Sequence, residues 1–175
     1  MLQLRAKTGR LAGLAALVVL LGLGAARPAP ATEVVLRVDG LACPFCAFGV
    51  EKKLLNLPVV EAIDIRMNEG KVLLALREGE PFDVAALDEA VADAGFTLRR
   101  ILVEDAVGQV SRHAGDLVLR SSRPLATFRL RGAGEALPDP GSTVAASGTV
   151  EEFDSDPVLI VTSLRPIGDA PAGSP

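Results

Sequence analysis

The stretch GLACPFC, residues 40–46, contains both cysteines of the chain, Cys43 and Cys46, with Pro44 and Phe45 between them. Two thiols at this spacing can hold a metal ion, cycle between dithiol and disulfide, or form a permanent disulfide. For metal binding, two thiolates suit soft ions that accept few ligands, namely Cu(I), Ag(I) and Hg(II). The cysteine pair is therefore the first candidate site in this sequence.

Few other side chains are available to complete a metal site. A closed structural zinc site needs four ligands, but the chain has no further cysteine and a single histidine, His113. Asp39 could add an oxygen ligand for Zn(II), although a residue in this position is more typical of a solvated turn. The sequence thus favours a soft ion and leaves Zn(II) as a lesser possibility.

The flanking elements should place both thiols at the start of a helix. Residues 33–40, EVVLRVDG, alternate as a strand does, and residues 47–57 repeat apolar side chains at helical spacing. Pro44 suits the first helical turn, where its missing N–H is not needed. The free N–H groups and the helix dipole lower the pKa of a nearby thiol. We expect Cys43 to be the more exposed and first to react, and Cys46 to be the more buried.

The rest of the region 32–104 predicts an α+β domain. Residues 59–76 form two alternating apolar runs around a turn, which indicates a β-hairpin. Residues 83–95 begin with an N-cap aspartate and end at a glycine, which indicates a helix, and residues 96–104 indicate a last strand. The order β-α-β-β-α-β is that of a ferredoxin-like fold.

The region 105–168 has a different pattern. Five short β-like runs are separated by Gly, Pro, Asp and Ser, which predicts a small all-β, OB-like barrel domain. Residues 169–175 predict a disordered tail. A serine nucleophile would have only His113 as its base, and no other catalytic constellation is present, so we expect a protein that is not an enzyme.

The N-terminal residues predict export. A basic start is followed by an uncharged apolar run over residues 11–26 and an Ala-Pro-Ala motif at residues 29–31, the pattern of a cleaved signal peptide over residues 1–31. An uncleaved membrane anchor is the alternative. This segment contains four of the 18 basic residues and none of the 22 acidic ones, so the remaining chain would have a net charge of −8. Such acidity argues against nucleic acid as a partner.

The layout of the cysteines and elements resembles the heavy-metal-associated domain family, over residues 33 to about 104. The family motif Gly-Met-x-Cys-x-x-Cys corresponds to Gly-Leu-Ala-Cys-Pro-Phe-Cys, with Leu41 in the position of a buried methionine. Phe96, after Gly95, stands where many bacterial members have tyrosine. Pro-Phe between the cysteines departs from the small residues that are commoner in the family.

This resemblance implies a function and a set of partners. The sequence is similar to mercuric-ion periplasmic-binding proteins and copper chaperones. This similarity implies that Cys43 and Cys46 bind Cu(I) or Hg(II), with Ag(I) or Zn(II) as further possibilities. The implied protein is a periplasmic monomer that relays the ion to a membrane transporter or pump. Two alternatives remain open: an adaptor with a Cys43–Cys46 disulfide and a partner-binding β-domain, and a thiol–disulfide redox protein.

Overall fold

The computed structural model describes residues 33–132, 137–153 and 157–167. The predicted signal peptide, residues 1–31, and the predicted tail, residues 169–175, lie outside these ranges. Within them, no helix combines the length and the hydropathy that crossing a membrane requires.

The first six main elements follow one another in the order expected from the sequence. Strand β2 (Val60–Arg66) passes through one turn of 3-10 helix, Met67–Glu69, and then Gly70, whose left-handed backbone (φ 61°) leads into β3 (Lys71–Leu76). Asp83 caps the second helix, because its carboxylate accepts hydrogen bonds from the N–H groups of Ala85 and Ala86. The elements are β1 (Glu33–Asp39), α1 (Pro44–Leu55), β2 (Val60–Arg66), β3 (Lys71–Leu76), α2 (Val84–Asp93) and β4 (Thr97–His113).

These four strands lie side by side in the order β2-β3-β1-β4, and all neighbours are antiparallel. Alternate residues of β1 are fully buried, and they pack in one cluster with buried residues of α1 and α2. Burial of this apolar surface supplies the main driving force for the arrangement. The cluster includes Val34, Leu36, Val50, Leu54, Leu74, Leu87 and Ile101.

The remaining strands form a closed barrel with β4. They are β5 (Asp116–Arg123), β6 (Leu125–Gly132), β7 (Thr143–Glu151) and β8 (Val158–Pro166). The barrel order is β4-β5-β6-β8-β7, and β7 pairs back with β4. The β6–β8 pair is parallel, and the other barrel pairs are antiparallel. Closure leaves no free barrel edge for pairing with other chains.

The predicted fold class, an α+β ferredoxin-like domain followed by a small all-β OB-like domain, is wrong. The structure is mostly β, and its eight strands form one continuous sheet that closes into a five-stranded barrel. Strand β4 belongs to both parts, since it pairs with β1, β5 and β7 along its 17 residues. The boundary predicted at 104/105 therefore falls inside a strand.

The physical reason for this error is a β-bulge. The register of β4 against β7 shifts between Val103 and Ala106, and Asp105 adopts a positive φ of 52°. The N–H of Asp105 donates to the hydroxyl of Ser147 at 2.9 Å, which replaces a regular ladder hydrogen bond. In the sequence the polar pair Glu104–Asp105 indicates a break, whereas in the structure it bends a strand that continues.

The neighbouring strands β4 and β5 approach closely at a glycine, and this contact generates a prediction. A Cβ atom at Gly108 would lie 2.2 Å from the carbonyl oxygen of Arg120, which is backbone and cannot rotate away. Gly108→Ala should therefore lower the free energy of unfolding by about 1–3 kcal/mol, measured by urea denaturation. The matched control is Gly49→Ala in α1, where a Cβ meets nothing within 4 Å and helix propensity rises by up to about 1 kcal/mol. Equal stability of the two variants would contradict this account of the barrel.

Candidate metal centre

The loop that contains the cysteines is fixed at its base. After β1 ends at Asp39, Gly40 turns the chain with a φ of 87°, a conformation that favours glycine. Leu41 is then only 3% exposed and belongs to the hydrophobic core. The ring of Phe96 reaches to within 3.5 Å of the place where a Gly40 Cβ would be, so it packs against the turn. The buried leucine and the turn hold the next residues at the surface.

Helix α1 begins directly at the cysteine pair. Cys43 is the N-cap residue, with an extended backbone (φ −130°, ψ 133°), and Pro44 is the first helical residue. Cys46 lies in the first turn, so both sulfurs are near the N–H groups that have no partner within the helix. The structure thus places the two predicted site residues together at the positive end of the helix dipole.

The two thiols have different acidities. The pKa of Cys43 is lowered because the backbone N–H of Cys46, the thiol of Cys46 and the N–H of Phe45 stabilise its thiolate. The pKa of Cys46 is raised, first because its thiol donates to Cys43, then by burial and by the negative charge of Cys43. Cys43 therefore deprotonates first.

Both cysteines are partly accessible. They are free thiols and both residues are half-buried, so the expectation that Cys43 is the more exposed and Cys46 the more buried stays a prediction. The difference in pKa favours the expected order of reaction. Both sulfurs can be reached from solvent, which a site that exchanges its ion requires.

The other candidate ligands lie elsewhere. Asp39 forms an ion pair with Arg99, and no local pattern predicts this contact because the two residues are 60 positions apart. His113 is exposed at the far end of β4, where it lines a cavity together with Asp116 and Arg120. Within the described residues, no group of three or more His, Cys, Asp or Glu side chains is placed to hold a metal.

The surface around the thiols is apolar. Phe45 is 89% exposed and Phe48 is 66% exposed, and these two residues stand one helical turn apart on α1. No charged residue occurs from Gly40 to Val50. Both rings are turned away from the core and lie beside the thiols.

Comparisons with known proteins give one sequence relative of interest. No protein-family model matches the chain. Over 91 residues, or 51% of the chain, the sequence is 34% identical to copper-transporting ATPase 2 of Rhizobium meliloti (strain 1021). The chain covers only 11% of the length of that protein. This similarity confirms the predicted resemblance to the heavy-metal-associated domain family, which includes modules of metal-pumping P-type ATPases.

Two solved structures are similar to part of the chain. A copper-binding domain from HMA7, a P-type ATPase, is 21% identical and aligns over 39% of this chain and 90% of its own length, with a TM-score of 0.33. The water-soluble region of the P-type ATPase CopA from Bacillus subtilis is 23% identical and aligns over 47% and 52%, with a TM-score of 0.35.

The acidity difference predicts which thiol reacts first. The thiolate is the nucleophile, so Cys43 should be alkylated by iodoacetamide before Cys46 near neutral pH. Peptide mapping by mass spectrometry after partial labelling of the reduced protein measures this order. The pH at which Cys43 reaches half its maximal rate should lie below that of an ordinary thiol. Faster labelling of Cys46 would show that the assignment of the two thiols is reversed.

Proposed function

We propose that Cys43 and Cys46 bind a single Cu(I) ion as cargo and pass it to a membrane metal pump. The observation that carries this proposal is the pair of accessible thiols at the N-terminus of α1, one with a lowered pKa. Binding is non-catalytic: the ion displaces the thiol protons and forms two copper–sulfur bonds. The chain's other residues position these sulfurs and take no part in the chemistry.

The choice of Cu(I) depends on the ligands and on the relative. Two thiolates suit Cu(I), Ag(I) and Hg(II) alike, because all three are soft ions that accept low coordination numbers. The named cargo of the similar ATPase is copper, which favours Cu(I) among them. Zn(II) prefers four ligands and fits a pair of sulfurs less well.

Transfer follows from the acidity difference between the thiols. An incoming thiolate of the acceptor adds to the bound ion, and one copper–sulfur bond to this chain then breaks. The sulfur with the higher pKa, Cys46, is the better proton acceptor and so the one more readily released by protonation. Cys43 would hold the ion until a second acceptor sulfur replaces it, so the ion is never free.

The proposed acceptor is a membrane pump, and the proposed location is outside the cytoplasm. The exposed rings of Phe45 and Phe48 stand next to the thiols and offer an apolar contact to an acceptor, in a segment, residues 40–50, that has no charged side chain. The signal-like pattern of residues 1–31 supports export to the periplasm, where we propose that the protein acts as a monomer. In that compartment an oxidant can take two electrons and two protons from the thiols and close a disulfide. The oxidised pair could not bind copper.

Copper titration tests this function. In competition with a chromophoric Cu(I) chelator under reducing, anaerobic conditions, we expect one ion per chain. Cys43→Ser or Cys46→Ser should each weaken affinity by more than about 100-fold, because loss of a direct ligand exceeds the 10–100-fold typical of an outer-shell change. Affinity should fall as the pH is lowered, since protons compete for the thiolates.

The matched control is His113→Ala, which removes the single imidazole of the chain and should leave the affinity unchanged. Equal weak binding by the native protein and a Cys43→Ser/Cys46→Ser variant would contradict the proposal. That result would favour instead the adaptor in which the β-barrel binds a partner. Copper uptake that persists after the thiols are oxidised to a disulfide would also contradict the proposed copper binding.

A further inference from the structure

One face of the four strands β2-β3-β1-β4 is not covered by helices, and it presents a row of cations. Cross-strand pairing places Arg66 opposite Lys71, Lys71 opposite Arg37, and Arg37 opposite Arg100. Each residue comes from a different strand, and Lys71, Arg37 and Arg100 each stand next to a buried residue that faces the opposite side of the sheet. We call Arg66, Lys71, Arg37 and Arg100 the cationic row.

Without nearby anions, the cationic row would lower the stability of the folded sheet. Like charges directly opposite each other in neighbouring strands destabilise a sheet. Part of the repulsion is offset, because Glu69 pairs with Lys71 at 2.5 Å and Asp64 pairs with Arg66 at 3.3 Å. These ion pairs are at least partly exposed, so each contributes little and can exchange for another carboxylate. Arg100 has no ion-pair partner among the described residues.

An apolar row runs beside the cationic row. Leu73, Val35 and Leu102 lie opposite one another on the same face, and all three are only half-buried. Together with Arg37, Arg66 and Lys71 they line a cavity of about 270 Å³. A line of positive charge parallel to a line of half-buried aliphatic side chains defines a surface with two different edges.

We propose that this face binds an acidic, amphipathic segment of a partner protein. Carboxylates of the segment would pair with the cationic row, and its apolar side chains would cover Leu73, Val35 and Leu102. The cationic row lies at the end of β1 that leads into the cysteine loop, since Arg37 is two residues before the strand ends at Asp39. The partner would therefore be held beside the loop, on the face of the sheet opposite the helices.

A narrow protein segment fits this surface better than a lipid bilayer does. Glu33 and Glu104 line the same cavity, on the side of the apolar row away from the cations, so a broad anionic plane would meet carboxylates as well. The whole chain has a net charge of −4, which opposes adsorption to an anionic surface. A single extended segment can follow the cationic row and avoid the carboxylates.

Binding of a defined peptide tests the proposal. The probe is a fluorescent synthetic peptide in which pairs of glutamates alternate with leucines, and the reference probe replaces each Glu by Gln. Fluorescence anisotropy with the full chain should show binding of the Glu peptide only, weakening as salt is raised. Arg37→Glu, and separately Arg100→Glu, should each weaken the affinity for the Glu peptide roughly tenfold, because reversing the charge of the side chain replaces an attraction with a repulsion.

The matched control is Arg120→Glu, which makes the same charge change at an exposed position of β5 and should alter affinity less than about twofold. Arg100 lies opposite Arg37 and has no ion-pair partner among the described residues, so the melting temperature of Arg100→Glu should not fall, which separates a docking role from a structural one. Copper uptake should be unchanged in all three variants. A failure of the peptide-docking proposal can therefore be distinguished from a failure of the copper-binding proposal.

Three results would overturn the proposal. The first is equal binding of the Glu and Gln peptides by the native chain. The second is an equal loss of binding in Arg120→Glu and Arg37→Glu. The third is binding of phosphatidylserine vesicles or of an oligonucleotide without binding of the Glu peptide, which would assign the cationic row to a different class of partner.

Discussion

The burial of Leu41 directly before the cysteines is the constraint on which the metal centre depends. Two residues after β1, this side chain enters the hydrophobic core, and fully burying a leucine is worth about 1.5–3 kcal/mol. Gly40 provides the left-handed turn that lets the chain reach that position. Helix α1 then begins at Pro44 with Cys43 as its N-cap residue, so its unpaired N–H groups lie near the first sulfur. The acidity of Cys43 is therefore a result of packing beneath the loop as well as of local sequence.

The barrel also supports β1 and the cysteine loop, through the shared strand β4. Strand β4 pairs with β1 over the part that precedes the cysteine loop and continues into the barrel as one of its five strands. Residues of both parts form one hydrophobic cluster, which joins Val34 and Leu36 to barrel residues such as Phe128 and Leu159. Interiors packed this closely transmit strain. A change in the barrel core is thus expected to reach β1 and the loop through shared packing.

The sequence predicts the local elements well because their signals are local. Alternation, the Asp83 cap and the Gly70 turn each depend on a few neighbouring residues, and so does the cysteine spacing. The fold class was wrong because Asp105 bends β4 where the polar residues indicated a boundary, and the partner that stabilises this bulge, Ser147, is 42 residues away. The Arg99–Asp39 ion pair and the cationic row could not be predicted either, because both depend on the register of neighbouring strands. One sequence does not reveal the register across four strands.

The central claim is that two sulfurs at the start of α1 hold Cu(I) without a third ligand from the described part of the chain. X-ray absorption at the copper edge measures the ligand set directly, on reduced protein loaded with less than one equivalent of Cu(I). We expect two sulfur neighbours and no imidazole scattering. A nitrogen shell, or a copper ion bound by one sulfur, would contradict the account of this site.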